Sequence, residues 1–135
     1  MYQGSCLCSA VRFEIAGELE PIQICHCSLC RKAQGVPFVT NIPVSTEAFR
    51  LLSGADALKA FSSSPGKQRV FCSHCGSPIY SQNQHTPGVL RIRAGTLEGE
   101  LKTRPMAHFY IDSKANWWEL SDDLPKYAQG YLAKT

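Results

Sequence analysis

The chain has 135 residues, 44% of them hydrophobic and 19% charged; this suits one folded domain over residues 1–135 and excludes a disordered chain. The formal charge of +3 at pH 7 is too slight to argue for nucleic acid, and no apolar run approaches the ~18–20 residues that span a bilayer. The opening "MYQGSCLCSAVRFE" lacks the basic start and apolar run of a secretory leader, so a soluble protein of the reducing cytoplasm is expected.

Taken in chain order, most segments alternate with period two. In "AVRFEIAG", Val11, Phe13 and Ile15 face one way while Arg12 and Glu14 face the other. "SLCRKA" predicts one or two helical turns, with Ser28 as N-cap. "VPFVTNIPV" reads as a strand, "TEAF" as a single turn, and "FRLLSG" and "ALKAF" as further strands. "FSSSPGK" is a turn between strands rather than a domain boundary. "RVFC", "PIYSQ", "VLRIRAG" and "MAHFYI" continue the strand pattern, with Arg69, Arg91 and Arg93 expected to face outward. "LPKYAQGYLAK" predicts a short amphipathic helix from Pro125, with Asp122 and Asp123 before it as a turn and cap rather than an acid–base pair. The expected architecture is mainly β: a small sandwich or open barrel of short antiparallel strands with few short helices.

Seven cysteines fall in three clusters, Cys6-x-Cys8, Cys25-x-Cys27-x-x-Cys30 and Cys72-x-x-Cys75. An odd count without a leader fits a disulfide framework poorly, and clustering of every cysteine is how metal ligands are laid out. "CSHCG" looks like a zinc knuckle, with Gly76 where the chain must turn sharply. It supplies two thiolates, and a closed site needs two more, from Cys6 and Cys8 or from part of the Cys25 cluster. One four-ligand site would leave three cysteines idle in a C-x-C-x-x-C run, which favours two metals. Pairing Cys6 and Cys8 with Cys72 and Cys75 makes a closed site from ligands about 65 residues apart, which meet only in the folded chain. Cys25, Cys27 and Cys30 then form a three-thiolate site with one position open, the layout of catalytic zinc, where a bound thiol loses its proton near neutral pH. Seven thiolates on two divalent ions also bring the net charge from +3 to zero.

Other residues have two readings each. His26 lies between two ligands in an extended segment, so its side chain is expected to point away from the metal and to pack behind it. His74 is expected in an exposed turn and His85 at a loop tip. Arg31 and Lys32 follow Cys30 and either grip carboxylates or form a solvated helix face. Phe38, Trp117 and Trp118 either wall a pocket or belong to the core.

Together "GSCLCSAVRFE", "CHCSLCRKAQG", "FCSHCGSPIY", "AGTLEG" and "NWWELSDDLPKY" resemble the glutathione-dependent formaldehyde-activating enzymes, whose domain is shared with centromere protein V. The resemblance runs over roughly the whole chain and includes the spacing of all seven cysteines. It implies an all-β fold with two Zn2+ ions, a structural zinc on Cys6, Cys8, Cys72 and Cys75 and a catalytic zinc on Cys25, Cys27 and Cys30. It also implies a carbon–sulfur lyase that joins formaldehyde and glutathione into S-hydroxymethylglutathione. His108 matches a histidine position of the family and either lines the substrate pocket, with Arg31 and Lys32, or is a satisfied buried histidine. Ser9 departs from the pattern: the family has glycine there, and if the position needs positive φ, serine costs on the order of 1 kcal/mol. The expected partners are a small thiol and an aldehyde, with no membrane. The alternative function is a non-catalytic zinc module for a protein or nucleic-acid partner, although no Lys/Arg stripe interleaved with aromatics supports nucleic acid. An iron–sulfur protein ranks last, because the mixed spacings do not match cluster runs.

Overall fold

The computed structural model describes residues 1–130. In chain order the strands are β1 (Tyr2–Ser5), β2 (Arg12–Ile15), β3 (Ile22–Cys25), β4 (Val39–Ser45), β5 (Phe49–Ser53), β6 (Leu58–Ser64), β7 (Lys67–Cys72), β8 (Pro78–Asn83), β9 (Val89–Arg93) and β10 (Pro105–Phe109). One α-helix, α1 (Ser28–Gln34), follows β3. The strands form a three-stranded sheet, β1-β2-β5, and a seven-stranded sheet, β10-β3-β4-β9-β8-β7-β6. Pairing is antiparallel except between β10 and β3, which run parallel. The seven-stranded sheet does not close on itself, so the fold is a small sandwich and not a barrel. No helix among the described residues is long and apolar enough to cross a membrane.

The alternation read from the sequence builds the space between the sheets. Val11, Phe13 and Ile15 are fully buried and pack with Ile42, Val44, Ile79, Leu90 and Ile92 of the larger sheet. Phe13 stacks on Phe49 of β5, their ring centroids 5.2 Å apart. Its ring also occupies the space over Gly4, directly opposite on β1, where an added Cβ would lie 2.2 Å from Phe13. Within the small sheet, that ring needs a glycine beside it, while Val11, Phe13 and Ile15 together pack the small sheet on the large one. The "FSSSPGK" stretch closes the β6–β7 hairpin, with Gly66 at φ 77° directly after Pro65, as a tight Pro-Gly turn requires.

The opposite face of the large sheet is where the structure departs from expectation. Cross-strand pairing puts Arg69 and Arg91 opposite Ser81, and Arg93 opposite Asn41, while Cys25 sits opposite Val39. Period two therefore places all three arginines and Cys25 on one face. That face is not solvent: Arg69 and Arg93 are only 9% and 5% exposed. Helix α1 lies over it, and Arg93 reaches up to Gln34 on α1 and across to Asn41 and Ser81. The arginines expected to face outward do point away from the sandwich core, but two of them are covered by the helix.

Two terminal expectations also change. The N-cap of α1 is Cys27, not Ser28; its sulfur accepts from the Cys30 N–H at 3.2 Å. Residues Pro125–Gly130 are not helical, and residues 131–135 lie outside the described chain. Pro125 to Tyr127 instead run as an extended strap beside β10, with the His108 N–H donating to Pro125 O and the Tyr127 N–H to His108 O.

Phe13→Ala should lower unfolding free energy by about 3–5 kcal/mol, while Phe61→Ala, at a position 64% exposed, should stay within about 0.5 kcal/mol. Urea unfolding of the metal-loaded protein measures both, and equal effects would contradict the placement of the core.

Candidate functional site

Two cysteine groups form in the fold. Cys6 and Cys8 come from the turn between β1 and β2, and Cys72 and Cys75 from the β7–β8 turn. The second turn is built as the motif requires: the Gly76 N–H donates to Cys72 O at 2.7 Å, with Gly76 at φ 82°. The two turns are tied together by the Leu7 N–H donating to Ser77 Oγ at 2.9 Å. The four sulfurs lie within 4.8 Å of one another, with Cys6–Cys8 at 3.6 Å and Cys8–Cys72 at 3.9 Å. At metal–sulfur bonds of about 2.3 Å, tetrahedral coordination puts sulfurs about 3.8 Å apart, so this donor set fits a tetrahedral metal. The Ser77 hydroxyl and backbone N–H hold the Cys75 thiol down to about 5, readying it as a ligand.

Cys25, at the end of β3, and Cys27 and Cys30, at the start of α1, form the second group, also within 4.8 Å. Cys25 and Cys30 are 3.4 Å apart. The thiols hold their protons unequally. Hydrogen bonds from Cys25 and Cys27, then the Arg69 guanidinium, push Cys30 well below the usual thiol range. Cys25 is pushed up by its hydrogen bonds with Cys27 and Cys30 and by burial. Arg69 Nη2 stands 3.7 Å from Cys30 Sγ. No fourth thiol joins this group, because the other four are together elsewhere.

Beside the second group runs a chain of side chains that the sequence alone does not show. His26 is fully buried, and its Nε2 is 2.8 Å from His108 Nδ1. His108 Nε2 donates to Asp122 Oδ2, also at 2.8 Å. Asp122 does form the expected turn, its Oδ1 accepting from the Leu124 N–H at 2.9 Å, but its other oxygen orients His108. That hydrogen bond, then the one from the Leu124 N–H, holds the Asp122 carboxyl below its ordinary range. Burial, then His108, lowers His26 to about 4, so its imidazole is neutral near pH 7. His26 Nδ1 is buried and has no hydrogen-bond partner. Phe38 packs on His26 and Trp118 packs edge-on to Phe38, whereas Trp117 is 65% exposed.

The remaining expected residues are spread out. Arg31 is half-buried, with Nε lacking a partner, and Lys32 is exposed at the rim of a cleft beside α1. His108 stands 2% exposed, between His26 and Asp122. Arg69 and Arg93 are the site-facing residues that sequence reasoning set aside. Their shared face with Cys25 was the available signal; the burial of that face was not.

Residues 1–113 match the sequence profile of glutathione-dependent formaldehyde-activating enzymes. The chain belongs to that family. Among its relatives, a Halomonas elongata protein provisionally named a glutathione-dependent formaldehyde-activating enzyme is 29% identical over 129 residues, covering 89% of this chain and 81% of the relative. A Schizosaccharomyces pombe protein named an uncharacterized lyase is 26% identical over 134 residues, covering 99% of this chain and 96% of that one. A crystal structure from Rhodobacter sphaeroides superposes with a TM-score of 0.62 at 23% identity, over 77% of this chain and 99% of that chain, and shows the same fold. Ser9, where the resemblance leads one to expect glycine, has φ 68°. A serine there carries left-handed strain directly after Cys8 in the turn that holds Cys6 and Cys8.

Ser9→Gly should therefore raise stability by about 0.5–1 kcal/mol, read from the unfolding midpoint of the metal-loaded protein. An unchanged or lower midpoint would show that the serine is unstrained.

Proposed function

We propose that this chain is a zinc-dependent carbon–sulfur lyase working in the joining direction, taking glutathione and formaldehyde to S-hydroxymethylglutathione. The observation that carries the reading is the division of seven cysteines into a group of four and a group of three. The group of four offers a complete tetrahedral set, and the group of three offers a set short by one. Both are all-sulfur sets with spacings that suit zinc, and the relatives' names supply the thiol and the aldehyde. Zinc held by Cys25, Cys27 and Cys30 would supply an open position and the Lewis acidity that keeps a thiol deprotonated near neutral pH.

The protein's own residues set the conditions for that chemistry. Cys27 caps α1 while belonging to the metal group, so the helix start and the ligand geometry are one structure. The parallel pairing of β10 with β3 sets Phe109 beside Cys25 and His108 beside Ile24. Asp122 fixes the His108 ring, and His108 fixes His26 between Cys25 and Cys27. Phe38 packs on the His26 imidazole, and Trp118 packs edge-on to Phe38 behind it. In the reaction a sulfur–carbon bond forms as the aldehyde's π pair moves to oxygen, and the proton lost by the thiol ends on that oxygen. Holding the two reactants together is the main gain open to the protein, since a metal-bound thiolate is a weaker nucleophile than a free one.

Metal analysis after chelator-free purification should find about two zinc ions per chain, and Cys27→Ser should remove about one while circular dichroism stays unchanged. Exchange NMR with carbon-13 formaldehyde and glutathione should then show faster interconversion with the wild type than with Cys27→Ser. Equal rates would sink the reaction, and loss of both metals from Cys27→Ser would sink the division into two sites.

A further inference from the structure

A cleft of about 490 Å³ runs between α1 and strands β6 to β8. Leu29, Phe61, Phe71 and Pro78 are among its apolar lining residues, and Arg69 lines it as well. Arg69 links the cleft to the three-cysteine group, since its Nη2 is 3.7 Å from Cys30 Sγ. Its Nε donates to Ser63 Oγ at 2.9 Å. Its Nη1 is buried and has no partner. A guanidinium 9% exposed with an unused donor is costly unless something accepts from it.

The local charge points the same way. Arg69 and Arg93 are both buried on this face, and Arg93's side-chain partners Gln34, Asn41 and Ser81 are all neutral. Arg93, lowered by burial to about 10, still carries its charge at neutral pH. Lys67 is half-buried nearby. No Asp or Glu is buried among the described residues. Three thiolates on one divalent ion carry a single negative charge, fewer than the two buried guanidinium groups bring. The face is short of negative charge even with the metal in place, and one more thiolate only levels the two guanidinium groups, with Lys67 still to be matched.

We propose that Arg69 forms a carboxylate subsite at the inner end of this cleft, so that the chain selects thiols carrying a carboxylate over neutral thiols of the same size. The proposal rests on the reading of the three-cysteine group as an open, thiol-accepting metal site. The planar fork suits the role: Nη1 is free, and a carboxylate accepts from a guanidinium in charge-assisted bonds worth about twice a neutral one. The apolar walls around it lower the local dielectric and strengthen the pairing. Neither Arg31 nor Lys32 is placed as well, because Lys32 is exposed at the rim and Arg31 does not line the cleft.

The test uses the full chain with cobalt(II) in place of zinc, whose absorption bands report ligation by an added thiol. The probes are 3-mercaptopropionate and its neutral amide, 3-mercaptopropionamide. The wild type should bind the carboxylate about 10- to 100-fold more tightly than the amide. Arg69→Met should bring the two within about twofold while keeping the amide's affinity and the cobalt content. Arg69→Lys, which keeps the charge but not the fork, should retain part of the preference. Equal affinities in the wild type, or a preference that survives in Arg69→Met, would overturn the subsite. If Arg69→Met loses its cobalt, the wild-type comparison and Arg69→Lys decide. If neither thiol changes the cobalt bands, the open-site reading itself fails and takes the subsite with it. If the amide binds normally without discrimination, only the subsite fails.

Discussion

Two guanidinium groups are buried under α1 on the sheet face that carries Cys25, with no buried Asp or Glu among the described residues to match them. In a domain this small such charges are expensive unless opposite charge lies close, and the thiols of Cys25, Cys27 and Cys30 are the acidic groups within reach. Much else follows from that constraint. The helix is held close to the sheet, because Arg93 bonds Gln34 on α1 and Arg69 bonds toward Cys30. Thiolates at Cys25, Cys27 and Cys30 would bring negative charge next to the guanidinium groups, and a divalent metal is the usual way to keep three thiolates side by side.

The two cysteine groups divide the labour by position. The group of four joins the turn after β1 to the β7–β8 turn and closes the edge of the sandwich core, where Cys6 and Cys72 are buried among its aliphatic residues. Its donors come from segments 64 residues apart, so a metal bound there would act on the folding equilibrium. The group of three spans only Cys25 to Cys30 and makes a small cluster of its own with Val39 and Val36. It lies apart from the sandwich core, so its geometry is free to serve a ligand. The strap from Pro125 to Tyr127 binds the far edge of β10 and brings Asp122 round to His108, so the C-terminal part of the described chain supports the same site.

Much of this was legible in the residues alone. The run Val11, Phe13, Ile15 marks its buried face by simple alternation, and it is the centre of the core. The cysteine spacings mark out the clusters from which the fold assembles one group of four thiols and one of three. What was not legible has a common physical cause. Alternation says which residues share a face but not what covers it, so Arg69 and Arg93 read as solvated although α1 shields them. "LPKYAQGYLAK" has helical composition, yet Pro125 to Tyr127 take up the free edge of β10, where backbone partners are waiting. Likewise Asp122 does serve the local turn, but only the fold brings it within 2.8 Å of a histidine 14 positions earlier.

The central claim is that one metal site is closed by four cysteines and the other is held by three and open to a thiol. X-ray absorption at the zinc edge tests it directly, because it averages the ligands over both sites. The account predicts about 3.5 sulfurs per zinc with a light-atom contribution in the resting protein, rising to about 4 sulfurs without one when glutathione is added. A resting average of four sulfurs, or an average that glutathione does not change, would contradict it.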